Sequence, residues 1–218
     1  MFKTLRDFLR SRKYWVLALY FVVYILAFFI IEEHTPTEGY WVTDTFIDSY
    51  IPFVPGFAVF YILWYPLFAA VGIPTLIKDG EAFKRWMYYN MFTLTATLVL
   101  DVLIPNGQHL RPQDVQVTDL GTWIMSIIWA ADTPTNVFPS MHVLGCLGDI
   151  LCAFDSRIFT KPWRAVITAA CVLCMASTVL VKQHAFIDTV GALIFAVPAF
   201  FLFYRKRFLG KNKQLREA

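Results

Sequence analysis

The chain has 218 residues, of which 58% are hydrophobic and 16% charged, and its formal net charge is +3. Soluble domains carry roughly 25% charged residues, so this composition, with a mean hydropathy of +0.55, excludes a soluble globule. The 21 Phe and 7 Trp exclude a disordered chain, and 10 Gly with 11 Pro exclude a collagen-like or low-complexity one. What remains is a polytopic membrane protein, all-α because no succession of short alternating segments points to a β-barrel.

A spanning helix needs about 20 mostly apolar residues, and six such windows follow one another along the chain. Phe2 to Arg12 reads as a short basic amphipathic helix along the inner leaflet. The first span is Tyr14 to Ile31; Glu32, Glu33 and His34 follow without a small-residue cleavage pattern, so it is expected to stay in place. Tyr40, Trp41 and Tyr50 then suit interfacial anchoring. The second span is Phe53 to Ile77, containing Pro55, Pro66 and Pro74, and the third is Trp86 to Ile104, interrupted by Asp101. Leu120 to Ala131 is apolar but too short to cross, and reads as a helix in the interface or folded against the bundle. Val137 to Phe154, Ala165 to Val181 and Ala185 to Tyr204 complete a six-transmembrane-helix bundle, with Gly145, Gly148 and Gly191 placed for close helix approach. The whole chain, 1–218, forms one domain with basic tails at 1–13 and 205–218.

Lysine and arginine set the orientation, because cytoplasmic loops keep them in excess. All but two of the 19 basic residues fall on one side of this topology: the N-terminal tail, Lys78 to Arg85, Arg157 to Arg164, and the C-terminal tail. Both termini are therefore expected in the cytoplasm. The opposite side is acidic, with only Arg111 and Lys182 as cations. Topology and anionic lipid account for the basic tails without nucleic acid. The four cysteines lie within spans, and the Cys171–Cys174 pair reads as small-residue packing. No signal of oligomeric state is present.

Ionisable residues near or within spans are costly and point to function. Here Arg111, His142, Lys182, His184 and Asp188 all fall near the outer ends of spans, at about one membrane depth. In Phe138-Pro139-Ser140-Met141-His142 the proline suits a first helical turn. Free N–H groups and the Ser140 hydroxyl would make a phosphate site there, with His142 as a proton carrier; the other reading is a helix cap and a histidine bonded to a neighbouring span. His184 and Asp188 are four apart, so on a helix they share a face, and the carboxylate can orient the imidazole. The pair is either catalytic or glue between helices. Arg111 offers a planar fork of donors for phosphate oxygens in a loop otherwise poor in positive charge.

Taken together, these residues resemble the type 2 phosphatidic acid phosphatase superfamily of membrane lipid phosphatases and phosphotransferases. Its signatures are KxxxxxxRP, PSxH and SRxxxxxHxxxD. The second is complete at Pro139-Ser140-Met141-His142, the third is matched at Ser177, His184 and Asp188, and the first only at Arg111-Pro112. Ile104 stands where the family has lysine, and Thr178 where it has arginine. Lys182, four residues after Thr178, would share its face if the helix continued and could bring a replacement charge.

The resemblance implies metal-independent hydrolysis of a lipid phosphate, with no cofactor, at the extracytoplasmic face of a plasma membrane. His184 would be the nucleophile, forming a phosphohistidine, with Asp188 orienting it. His142 would be general acid and then base, and Arg111, Ser140 and Lys182 would bind phosphate. Candidate substrates are phosphatidic acid, its lyso form, diacylglycerol pyrophosphate, phosphatidylglycerophosphate or a polyprenyl diphosphate. Headgroup transfer of the sphingolipid-synthase type is the alternative enzyme; a non-catalytic transporter or scaffold is the alternative outside enzymes. Asp101 is expected either to support one of the cations or to bond between helices, and Asp149 has no role legible in sequence.

Overall fold

In a bilayer every backbone N–H and C=O must be paired within the protein, which makes the helix the form for long apolar runs. The computed structural model describes residues 13–36 and 38–209. Its helices are α1 (Leu19–His34, led in by a 3-10 turn at Lys13–Ala18), α2 (Ala58–Ile62, led in by Pro55–Phe57), α3 (Trp64–Lys78) and α4 (Gly80–Leu103). They continue as α5 (Leu120–Ala131), α6 (Met141–Asp155), α7 (Lys161–Leu180) and α8 (Phe186–Phe203). Four segments, Lys13–His34, Pro55–Lys78, Lys161–Leu180 and Phe186–Phe203, are long and apolar enough to cross a membrane. The chain is thus a mostly helical protein with membrane-spanning character. The amphipathic helix expected at Phe2 to Arg12 and the outermost parts of both basic tails lie outside the described residues.

Three windows differ from the sequence expectation for local reasons. The second starts at Pro55 and is interrupted for one residue at Leu63, where Pro66 has no N–H to return to the Ile62 carbonyl. The third starts earlier than Trp86, at Gly80, where the Asp79 side chain accepts from the Ala82 amide at 3.2 Å. The fourth begins only at Met141, with Ser140 as its N-cap. Pro139 therefore precedes the helix instead of sitting in its first turn, and the Ser140 N–H is not free but donates to the Asp188 carbonyl at 3.1 Å.

The middle of the bundle is held by aromatic packing and buried polar pairs. Phe68 lies 4.6 Å from the Trp86 ring and 5.1 Å from Phe21. The Trp86 indole N–H donates to Asp149 at 2.8 Å, so that carboxyl ties α6 to α4. Gly145 lets α3 approach closely: a Cβ there would lie 2.6 Å from the Trp64 ring nitrogen. Cys146, Cys171 and Cys174 are buried in the same core, in keeping with a packing role. At the end of the bundle away from the histidines the buried Asp155 receives Arg85 at 2.7 Å and Arg207 at 2.9 Å, closing α4, α6 and the segment after α8 together.

On the opposite side the connections form a cap. β1 (Trp41–Val42) and β2 (Asn106–Gly107) pair in parallel, Trp41 against Asn106, and Gly107 also bridges to Thr135. The short helix α5 forms as expected, N-capped by Asp119 through the Thr122 amide at 2.9 Å. Gly121 brings it directly onto the turn before α2, where a Cβ would sit 2.3 Å from the Pro55 carbonyl oxygen.

Candidate active site

Asn106 organises this cap. It is buried, its side-chain oxygen accepts from the Val137 and Phe138 amides at 2.8 Å each, and its amide group donates to Asp101 at 3.2 Å and to the Ile104 carbonyl at 3.1 Å. Asp101 is therefore a partner of Asn106, not of a cation. The segment before α6 is held extended in this way, and its Val137 carbonyl points at His184, whose Nδ1 lies 2.9 Å away.

A carbonyl can only accept, so Nδ1 of His184 is the donor in this contact, and in the neutral ring Nε2 is then the nitrogen with the lone pair. Asp188 stands behind the same nitrogen, its Oδ2 at 3.4 Å. The contact does not arise along a shared helix face: α8 starts at Phe186, and Asp188 reaches back over its first turn, accepting from the Ala185 amide at 2.8 Å. Asp48 completes that helix start by accepting from the Phe186 amide at 2.7 Å; no motif in the sequence marked it.

His142, in the first turn of α6, is 94% removed from solvent at a relative exposure of 6%, and neither of its ring nitrogens has a protein partner. Its ring lies 4.3 Å from Tyr61 and 4.9 Å from Trp64, and 5.8 Å from the His184 ring. The hydroxyl of Ser140 is fully buried and also without a partner. Both histidines line a cavity of about 770 Å³. Its head is polar, with Asp132, Asn136, Gln183 and the histidines; its body is apolar, with Phe21, Phe28, Phe68 and Trp86. From Trp64 to Leu76 the α3 wall of this cavity descends about 18 Å at the helical rise per residue.

Arg111 and Lys182 are both engaged by neighbouring groups and do not line the cavity of the two histidines. Arg111 lines a neighbouring hollow with Glu32, Glu33 and Asp132. It donates to the Asp132 and Thr133 carbonyls at 2.7 and 2.8 Å and meets the Asp132 carboxylate at 3.4 Å. Burial draws the Arg111 guanidinium down from its ordinary value, and Asp132 opposes this. Asp132 is pushed up to about 6 by burial and by neighbouring Glu32, against the pull of Arg111.

Lys182 does not take the place of the family's arginine. The helix ends at Leu180, Lys182 turns into the left-handed region at φ 58°, and its ammonium donates to the Asp48 carbonyl at 2.8 Å. The Thr178 carbonyl is closed by the Gln183 and His184 amides, at 3.1 and 3.0 Å, and the Thr178 hydroxyl by Met175 at 2.7 Å. Thr178 and Lys182 therefore share no face. Burial lowers the Lys182 ammonium from its usual value.

Chemically, the arrangement offers a histidine with a free nitrogen and a carboxylate behind it, a second unpaired histidine within one group's width, and a long apolar recess below both. No family model, curated protein or solved structure matches the chain.

Proposed function

We propose that the chain is a membrane lipid phosphohydrolase working through His184, on a lipid phosphate mono- or diester or diphosphate. The observation that supports this reading most directly is His142. It is buried with both nitrogens unpaired, facing His184 across 5.8 Å at the polar head of an apolar cavity. A buried polar group without a partner costs stability, and a substrate oxygen entering the cavity would supply one to His142.

In this reading Nε2 of His184 attacks phosphorus, the nitrogen–phosphorus bond forms, and the bond to the lipid oxygen breaks. The leaving alkoxide takes a proton from His142. Water then gives a proton to His142 as its oxygen attacks, and the nitrogen–phosphorus bond breaks to release phosphate and restore His184. Asp188 stabilises the imidazolium character that develops on His184. Ser140 and Arg111 are the proposed phosphate contacts, Arg111 after leaving Asp132. The lipid chain lies in the apolar recess.

The same proposal takes α4 and α6 as spans, giving six, with both termini cytoplasmic and the site on the extracytoplasmic side of a plasma membrane. Its support is that α6 touches α3, α4, α7 and α8. A helix shielded on all sides by other helices need not be apolar enough to face lipid. The one-sided basic residues give the orientation.

The test is phosphate release by the purified protein from a panel of lipid phosphates in excess EDTA, beside His184→Ala and His142→Ala. Release lost in both variants is the expected result. EDTA inhibition reversed by added metal, or release unaffected by His184→Ala, would overturn it. Headgroup transfer is a second reading, favoured by Ile104 and Thr178 in place of the family's cations; product formed only with an added acceptor hydroxyl would select it.

A further inference from the structure

This inference rests on the phosphate-ester reading above and concerns the charge of the substrate. We propose that Asp132 is a specificity-determining residue whose carboxylate fits the site to singly charged phosphodiester lipids and disfavours doubly charged phosphomonoesters.

Asp132 occupies a place that a phosphate site would be expected to keep clear of anions. It lines the head of the cavity together with His142 and His184, and it also lines the adjoining hollow with Arg111. Its Oδ2 accepts from Gln183 at 3.2 Å and lies 3.4 Å from Arg111. Gln183 is itself fixed, its side-chain oxygen accepting from the Trp129 indole at 3.0 Å. The carboxylate is thus held by three elements: the α5 end that carries it, the loop of Arg111 and the turn before α8.

The cations that would balance a second phosphate charge are missing or occupied. Among the described residues, none of those lining the cavity is a lysine or arginine. Positions 104 and 178 are Ile and Thr, Lys182 is bound to the Asp48 carbonyl, and Arg111 reaches a phosphate only by leaving Asp132, whose own charge then stands unmatched. Glu32 adds negative charge alongside, accepting from the Thr133 amide and hydroxyl at 2.9 and 2.8 Å. Each extra negative charge placed about 5 Å from a carboxylate is disfavoured on the order of a hundredfold at an effective dielectric near 20. A phosphomonoester at pH 8 carries one such charge more than a diester. The buried nitrogens of His142 in the same cavity have no protein partner, so an entering group can bond to them there.

The chemistry remains balanced for a diester. His184 bonds to phosphorus as the diacylglycerol oxygen departs with a proton from His142. The headgroup phosphate on His184 then passes to water or to another hydroxyl, whose proton returns to His142. Diacylglycerol is the first product from either substrate class, which permits a direct comparison.

The experiment measures diacylglycerol release at pH 8 from dioleoyl phosphatidic acid and from dioleoyl phosphatidylglycerol in the same detergent micelles. It uses the full chain, Asp132→Asn, Asp132→Glu and His184→Ala, each with and without an added long-chain alcohol as acceptor. The expected result is a wild-type preference for the diester, a ratio at least tenfold closer to the monoester in Asp132→Asn, and retention of the wild-type ratio in Asp132→Glu. General damage to the fold lowers both rates and leaves their ratio alone, so the ratio reads charge selection. An unchanged ratio in Asp132→Asn, or a wild type that prefers the monoester, would overturn the role of Asp132 while leaving the His184 chemistry standing. Absence of any His184-dependent release from either lipid, with or without acceptor, would instead overturn the phosphate-ester reading, and this inference with it.

Discussion

Asn106→Ala tests the arrangement of the cap, independently of any substrate. The substitution removes the acceptor of the Val137 and Phe138 amides and the donor to Asp101. Each buried group left unpaired costs about 1–3 kcal/mol. Allowing for water reaching the less buried Phe138 amide, the loss is about 2–4 kcal/mol. At about 2–4 °C per kcal/mol for a chain of this size, the unfolding midpoint should fall by roughly 4–16 °C. Asn106→Asp separates the interactions. It keeps an acceptor for both amides but sets a second carboxylate against Asp101, where the present distance is 3.2 Å. It should therefore be destabilised at pH 8 and recover much of the loss at pH 5 as the carboxyl pair takes up a proton. The assays are thermal unfolding in one detergent and hydrogen exchange of the Val137 and Phe138 amides, which should speed up in Asn106→Ala and stay protected in Asn106→Asp. An Asn106→Ala midpoint within 1–2 °C of wild type, with exchange unchanged, would refute the role given to Asn106.

Further outcomes follow from other contacts. Because Asp132 is raised to about 6 from 3.8, the folded chain holds its proton between those values while the unfolded chain has lost it. Its contribution to stability therefore falls as pH rises through about 4 to 6. The midpoint of Asp132→Asn relative to wild type should accordingly increase from pH 4 to pH 7; a flat or opposite trend in thermal scans would contradict the shift. Gly121→Ala places a methyl group against the Pro55 backbone and should cost about 1–3 kcal/mol in chemical unfolding. Asp155→Ala leaves Arg85 and Arg207 without the carboxylate they share. Breaking a buried pair in this way costs about 3–5 kcal/mol, measurable as a lower unfolding midpoint. On the proposed chemistry, His142→Gln should lower turnover by about 10²–10⁴ with the fold intact by circular dichroism.

The helices were legible because lipid demands long apolar runs and the chain supplies them between polar turns. Their ends were less so. Pro66 lies inside an unbroken apolar stretch, and only the missing bond to Ile62 tells that the helix is interrupted at Leu63. His184 and Asp188 were found from their spacing, although a helix cap brings them together where the sequence pointed to a shared face. Thr178 and Lys182 share a face only if the helix runs on past both, and it ends at Leu180. Asn106, Asp48 and Asp132 carried no signal: each is an ordinary polar residue in a connection, and its role depends on segments 20 or more residues away. Such long-range partners are visible only once the cap is assembled.

The Val137 carbonyl has a consequence of its own. In a Ser-His-Asp arrangement one carboxylate both orients the imidazole and supplies the negative charge that makes it reactive. Here the shorter contact to His184 comes from the main chain, at 2.9 Å, and the carboxylate stands further off at 3.4 Å. Aim and charge are therefore assigned to different parts of the polypeptide. A peptide oxygen cannot be removed by changing a side chain, so the ring would keep its heading in Asp188→Asn and lose only its electrostatic support.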